Sequence, residues 1–263
     1  MSSDMISFNK ENLDLYLREL AKEFRKLNGK TMPAEIILIG GASVLANYGF
    51  RDMTYDMDAV IVASSAMKEA INRTGDKYGL PTGWLNTDFV KTKSYSPKLI
   101  ENSVYYKTFS NILTVRTVSG EYLIAMKLLS GRKYKNDLSD VVGILMSHEE
   151  KGDPITLERI KNAVVTLYGA LDALSDDSVH FIETMLENTN YEETYRSIRA
   201  EEAKNKDILL EFEQEYPGVT NERNIDDILK AAEKKLTELP ADTIDIVDYQ
   251  RDLLPSDEED LEP

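Results

Sequence analysis

Leu38-Ile-Gly-Gly-Ala-Ser-Val-Leu-Ala46, followed closely by Arg51-Asp-Met-Thr-Tyr-Asp-Met-Asp-Ala-Val60, is the stretch on which the reading of this chain turns. The run Glu35-Ile-Ile-Leu-Ile39 that enters it is apolar and partly β-branched, and reads as a buried strand. Gly40-Gly41 stops the strand, and Ala42 to Tyr48 reads as a short helix. Glycine lets backbone approach a ligand closely, because no Cβ intervenes. Helix-start N–H groups at Gly41 to Ser43 would point at an anion, and the Ser43 hydroxyl adds a donor. Asp56 and Asp58 stand at the mouth of a second strand, Met57 to Val62. A period of two puts both carboxylates on one face. Like charges so close repel, and burial would raise their pKa. A divalent cation removes that conflict. Hard carboxylate oxygens suit Mg2+, which also takes substrate phosphates. A phosphate cradle followed by a carboxylate pair is the equipment for metal-assisted phosphoryl or nucleotidyl transfer. Each half alone is common as a turn or cap, but the combination in this order and spacing is much less so.

Working outward, Leu13 to Leu27 carries apolar residues at near-helical spacing, with Asn12 as the expected N-cap. Ser64 to Tyr78 reads as a helix ending at Gly79, and Leu80 to Lys98 as loop. Ser103 to Phe109 and Ile112 to Val118 alternate in the manner of strands. Glu121 to Ser130 and Leu138 to Ser147 read as helices, and from Thr156 onward the pattern is almost wholly helical. The expected fold is therefore α+β. An α/β half with a mixed sheet over 1–150 is followed by a helical domain over 151–240 and an acidic, disordered tail over 241–263.

Charge is unevenly spread. The formal net charge is −16, which argues against a surface that coats itself in nucleic acid or anionic lipid. From Asp242 to Glu262 there are nine acids and one arginine, so half of that net charge sits in the tail. Lys91 to Lys135 runs the other way, with nine basic residues against Glu101 and Glu121, a net of +7. That stretch is either a solvated face paired within the molecule or a site for a triphosphate or RNA. Cysteine is absent, which removes thiolate chemistry and cysteine–zinc sites and fits the expected cytoplasmic location. No apolar run approaches the roughly 20 residues that cross a bilayer, so no membrane partner is expected. His148 and His180 lie outside the motifs and read as surface or packing residues, and Trp84 reads first as packing.

Gly40-Gly41 and Asp56-Met57-Asp58, 14 residues on, resemble the signature of the polymerase-β-type nucleotidyltransferases. The fuller string, with Arg51-x-x-Thr before the acids, resembles the DUF6036 and AbiEii-like branch, many of whose members are toxin or phage-defence proteins. Trp84-Leu-Asn86 and the pair Tyr122-Leu-Ile-Ala-Met-Lys-Leu-Leu-Ser-Gly-Arg132 and Asp137-Leu-Ser-Asp140 resemble further segments of that branch. The resemblance spans about residues 34 to 150. It implies that Gly40, Gly41 and Ser43 hold nucleotide phosphates and that Asp56 and Asp58 bind Mg2+. It also implies that Lys127 reaches the triphosphate or the reacting oxygen, Arg132 binds phosphate, and Asp140, with or without Asp137, orients Lys127 or acts as base. The residues alone leave blander roles open. Lys127 would snorkel from a core helix, Asp137 would cap the helix it begins, and Arg132 would pair with Asp140. One departure stands out. Asn111 to Val118, where related enzymes carry a third carboxylate, holds no acid, and Arg116 takes a corresponding place.

The leading expectation is a Mg2+-dependent enzyme that moves a nucleoside monophosphate from an NTP to a hydroxyl of RNA, such as tRNA, or of a protein. Its partners would be the NTP, RNA along Lys91–Lys135, and a cognate antitoxin. The rival is an inert module of the same fold that binds nucleotide, RNA or antitoxin without turnover. A third alternative gives the work to the helical half and the acidic tail.

Overall fold

The computed structural model describes residues 6–30, 32–188, 190–221 and 223–238. Helix α1 (Lys10–Asn28) starts one turn earlier than its apolar spacing suggests. Asn9 is the N-cap, accepting from the N–H groups of Glu11 and Asn12, while the Asn12 side chain reaches back to the Asn9 N–H. Asn12 is thus the far half of a capping box. Strand β1 (Ala34–Leu38) runs into α2 (Gly40–Asn47), and β2 (Met57–Val62) returns antiparallel to β1. After α3 (Ala66–Tyr78) comes β3 (Leu85–Asn86), a two-residue strand inside the stretch expected as loop. It forms because Met57 and Asp58 of β2 offer Leu85 and Asn86 a parallel edge, which two residues of sequence cannot announce.

Strands β4 (Ser103–Phe109) and β5 (Leu113–Val118) form an antiparallel pair, and β5 also lies parallel to β1. The sheet order is β3-β2-β1-β5-β4, mixed as expected. Helices α4 (Gly120–Ser130), α5 (Asp137–Glu150), α6 (Leu157–Tyr168), α7 (Asp176–Leu186), α8 (Tyr191–Glu215) and α9 (Ile225–Glu238) complete the described chain.

Alternation along β1 sorts the core. Ile36 and Leu38 pack with Leu13, Leu17 and Phe24 of α1, whereas Ile37 and Ile39 pack with α4, α5 and α6 on the other face. All four strand residues are fully buried, each worth about 1.5–3 kcal/mol relative to exposure. Such two-sided burial is why β1 reads as a continuous apolar run. On β2, Met57 and Ala59 face the α1 side and Val60 the opposite one. Period two therefore turns Asp58 toward the α4–α5 face.

The chain divides into two compact units, 1–203 and 204–263. The boundary expected near residue 150 falls inside the first unit. Ile160, Ala163 and Val164 of α6 and Ile182 of α7 share one core with Leu123 and Ile124 of α4, so these helices close the sheet's second face. The second unit contains the end of α8 and all of α9, where Leu209, Ile225 and Leu229 are buried. The acidic tail expected over 241–263 lies outside the described residues.

Candidate active site

The β1–α2 turn is built on two glycines with different needs. Gly40 has φ +53°, a left-handed conformation that a side chain would strain. Gly41 is needed for space. A Cβ there would lie 2.6 Å from Thr54 Oγ1 and 2.9 Å from Arg51 Nη2. The chain's own Arg51 and Thr54 therefore close over Gly41, and a guanidinium sits at the start of α2. The Thr54 loop is held by a backbone pair with Phe8, N–H to carbonyl at 2.7 and 2.8 Å. Ser43 is fully buried, and its hydroxyl accepts from the Val118 N–H at 2.9 Å, tying α2 to β5. That side chain faces the interior, whereas Gly40 and Gly41 are both partly exposed.

Beside this turn lies a buried ionic chain. Lys127 on α4 sits 2.7 Å from Asp140 and 3.1 Å from Asp137, both in the first turn of α5. Asp140 also receives Arg51, and Asp137 receives Arg132 at 2.8 Å. Burial works against the charge of Lys127, but Asp140 and Asp137 outweigh it and its pKa rises. Burial likewise works against Asp137, but Lys127 and Arg132 bring its pKa down to about 2. All these groups are engaged with one another. Asp137 does not cap α5, and Arg132 pairs with Asp137, not with Asp140. The orphan N–H groups of Leu138 and Ser139 go to Glu202 Oε1, at 2.9 and 3.2 Å, from α8. Burial pushes the Glu202 carboxyl up to about 7 in spite of those donors.

Asp56 is exposed and Asp58 half-buried, and among the described residues neither has a Lys or Arg nitrogen within 4.0 Å. Burial first, and the charge of Asp56 second, raise the pKa of Asp58, while Lys135, the Asn86 amide and Arg132 pull it down. Those five groups therefore share one neighbourhood, at the β2–β3 edge and the loop between α4 and α5. Arg132 links it to the ionic chain, since it bonds Asp137 and also feels Asp58. Gly41, Arg51, Asp140, Lys127, Asp137 and Arg132 thus form one chain of contacts, and Arg132 at its end also feels the charge of Asp58.

Among the described residues no group of three or more His, Asp or Glu side chains is placed to hold a metal ion. Two carboxylates with an amide beside them fit Mg2+ that arrives on phosphate, since that ion keeps water and substrate oxygens in its shell. Asp140, engaged by two cations, is not free to join them. Arg116 on β5 turns to Ser103, 2.6 Å from its hydroxyl, and lies 4.0 Å from Glu35.

A model of the nucleotidyltransferases of unknown function, DUF6036, matches residues 16–199, a span that contains every residue of this cluster except Glu202. The chain belongs to this family. Neither a curated protein nor a solved structure matches it. The match is to DUF6036 as a whole and does not single out the AbiEii-like branch.

Four members of the neighbourhood were not assigned roles from sequence. Arg51 lay inside the quoted string and Asn86 inside Trp84-Leu-Asn86, so each carried a signal. Lys135 was one of nine basic residues, and Glu202 carried no signal at all. The basic stretch is largely consumed within the DUF6036 fold. Lys91 pairs with Asp88, Lys107 with Asp14, and Lys127 and Arg132 with the α5 acids. Among the described residues, Lys93, Lys98 and Lys135 are exposed and make no ion pair within 4.0 Å. Trp84 is 3% exposed, donates to the Ile71 carbonyl and packs on Phe8 and Tyr16, a core role. His148 meets Tyr48 and the Asp153 carbonyl away from this cluster, and His180 is exposed. A cavity of about 500 Å3 near Leu145, Ile155 and Leu186 shares none of these carboxylates.

Proposed function

We propose that this DUF6036 nucleotidyltransferase moves a nucleoside monophosphate from a Mg2+-borne NTP to a hydroxyl acceptor, with RNA, including tRNA, as the leading class. The observation that carries the reading is the placement of Asp56 and Asp58, free of ion pairs, beside Arg132, Lys135 and the glycine turn. The acceptor oxygen attacks the α-phosphorus and gives up its proton to solvent, the bond from that phosphorus to the oxygen bridging to the β-phosphate breaks, and pyrophosphate departs. Mg2+ bound to the phosphates would neutralise charge on the attacking and leaving oxygens. Asp56 and Asp58 would hold that ion, and Gly40 and Gly41 would face the phosphates with their N–H groups. Lys135 and Arg132 would meet the departing charge. Lys127 and Asp140, bonded to each other, would set Arg51 and the α5 turn.

Incubation with each α-labelled NTP, Mg2+ and total RNA or cell protein tests the proposal. Label transfer that Asp58→Ala abolishes is expected, and transfer at the wild-type rate by that variant would refute it. A second reading is favoured by the complete pairing of Lys127 and the absence of an acid on β5: a module that binds nucleotide, RNA or a cognate antitoxin without turnover. Mg2+ and NTP would then raise the melting temperature with no product from any pool. A toxin or defence role of the AbiEii-like kind belongs to either reading, and growth arrest on expression that Asp58→Ala relieves would support it.

A further inference from the structure

The catalytic reading leaves the buried acid Glu202 unused. Helix α5 carries Asp137 and Asp140 in its first turn, so its start fixes where Lys127, Arg51 and Arg132 are held. Its own N-cap residue, Asn136, makes no side-chain cap bond. A helix start buried without acceptors would leave orphan N–H groups, which is costly away from water. Glu202 supplies them from α8, more than sixty residues on. Its Oε1 accepts from Leu138 and Ser139, and its Oε2 accepts from the Ser139 hydroxyl. Glu202 is 3% exposed and lies beyond the residues the family model matches.

The same helix touches the opposite wall. Tyr195, two turns before Glu202 and so on the same face, donates its hydroxyl to the Phe50 carbonyl at 3.2 Å and packs its ring on Phe50. Phe50 immediately precedes Arg51 and the loop to Asp58. Phe50 in turn fits against α5 only because position 143 is glycine, where a Cβ would lie 2.5 Å from the ring.

We propose that Glu202 is a positioning residue of the nucleotide site, through which α8 locks the α5 turn and the Arg51–Asp58 loop into one arrangement. The inference rests on the nucleotidyltransferase reading of Asp56 and Asp58. It assigns Glu202 no contact with substrate.

The test uses the full chain with Glu202→Ala, Glu202→Gln and, as control, Asp58→Asn. Hydrogen exchange without ligand is read first. Glu202→Ala should speed exchange both at 137–141 and across 51–58, whereas Glu202→Gln, whose amide oxygen still accepts from Leu138 and Ser139, should restore protection in both. Exchange that rises at 137–141 alone marks a local cap and overturns the proposal. Affinity for each Mg2+·NTP is then measured at a temperature where all variants are folded. Glu202→Ala should weaken it about tenfold, with Glu202→Gln within threefold of wild type. Wild-type affinity in a folded Glu202→Ala overturns the proposal while leaving the site's reading intact, provided Asp58→Asn binds poorly. Binding that Asp58→Asn leaves unchanged overturns the reading itself, and with it the inference.

Discussion

Replacing Lys127 with methionine should expose the cost of the buried ionic chain. The ammonium lies between Asp140 at 2.7 Å and Asp137 at 3.1 Å, and all three side chains are under 10% exposed. Breaking a buried pair by removing one partner costs about 3–5 kcal/mol, because a charge is left uncompensated. Here Asp140 keeps Arg51 and Asp137 keeps Arg132, so the lower end applies, about 3 kcal/mol. For a unit of some 200 residues each kcal/mol moves the melting temperature by about 2–4 °C, which gives a drop of about 6–12 °C. Differential scanning calorimetry at pH 7, with urea midpoints as a cross-check, reads this directly. The double variant with Asp140→Leu should be worse still, since Arg51 then loses its carboxylate. A Lys127→Met protein that melts within 2 °C of wild type would refute the argument that these charges hold the α4–α5 junction.

Gly41→Ala should cost about 1–3 kcal/mol, because its methyl would meet Thr54 Oγ1 at 2.6 Å, and it should weaken Mg2+·NTP binding by displacing Arg51; unchanged stability and affinity would contradict the close approach. Asp137 has its pKa lowered from 3.8 to about 2, so its contribution is complete above about pH 4 and lost as pH falls through about 2. That is worth about 2 kcal/mol, and Asp137→Asn should flatten the fall in urea midpoint across this window. Trp84→Ala should cost about 3–5 kcal/mol while leaving nucleotide affinity at low temperature near wild type; the opposite pattern would make Trp84 a base platform.

Much of the fold was legible because it rests on local period and punctuation. The apolar runs in Glu35–Ile39 and Met57–Val62 mark strands with burial on both faces, and Gly79 and Gly131 end their helices in left-handed conformations. The glycine turn was legible for the same reason, since Gly40-Gly41 ends an apolar strand and opens a helix. Asn9, not Asn12, caps α1, and the helices just after residue 150 share the core of the first unit. A capping box reads equally well from either of its ends, and a helix gives no sign in sequence of which core it joins.

The sequence by itself determined which residues line a strand, where helices begin within a turn, and that a glycine bend joins the first strand to a helix. It left to the tertiary structure the partners of every buried charge. That Lys127 is spent on Asp137 and Asp140, that Arg51 covers Gly41, and that Glu202 caps a helix over sixty residues away follow from packing of distant elements. The physical reason is range. Period and propensity act over a few residues, whereas the pairing of a buried charge is decided by whichever opposite charge the folded chain brings within about 4 Å of it.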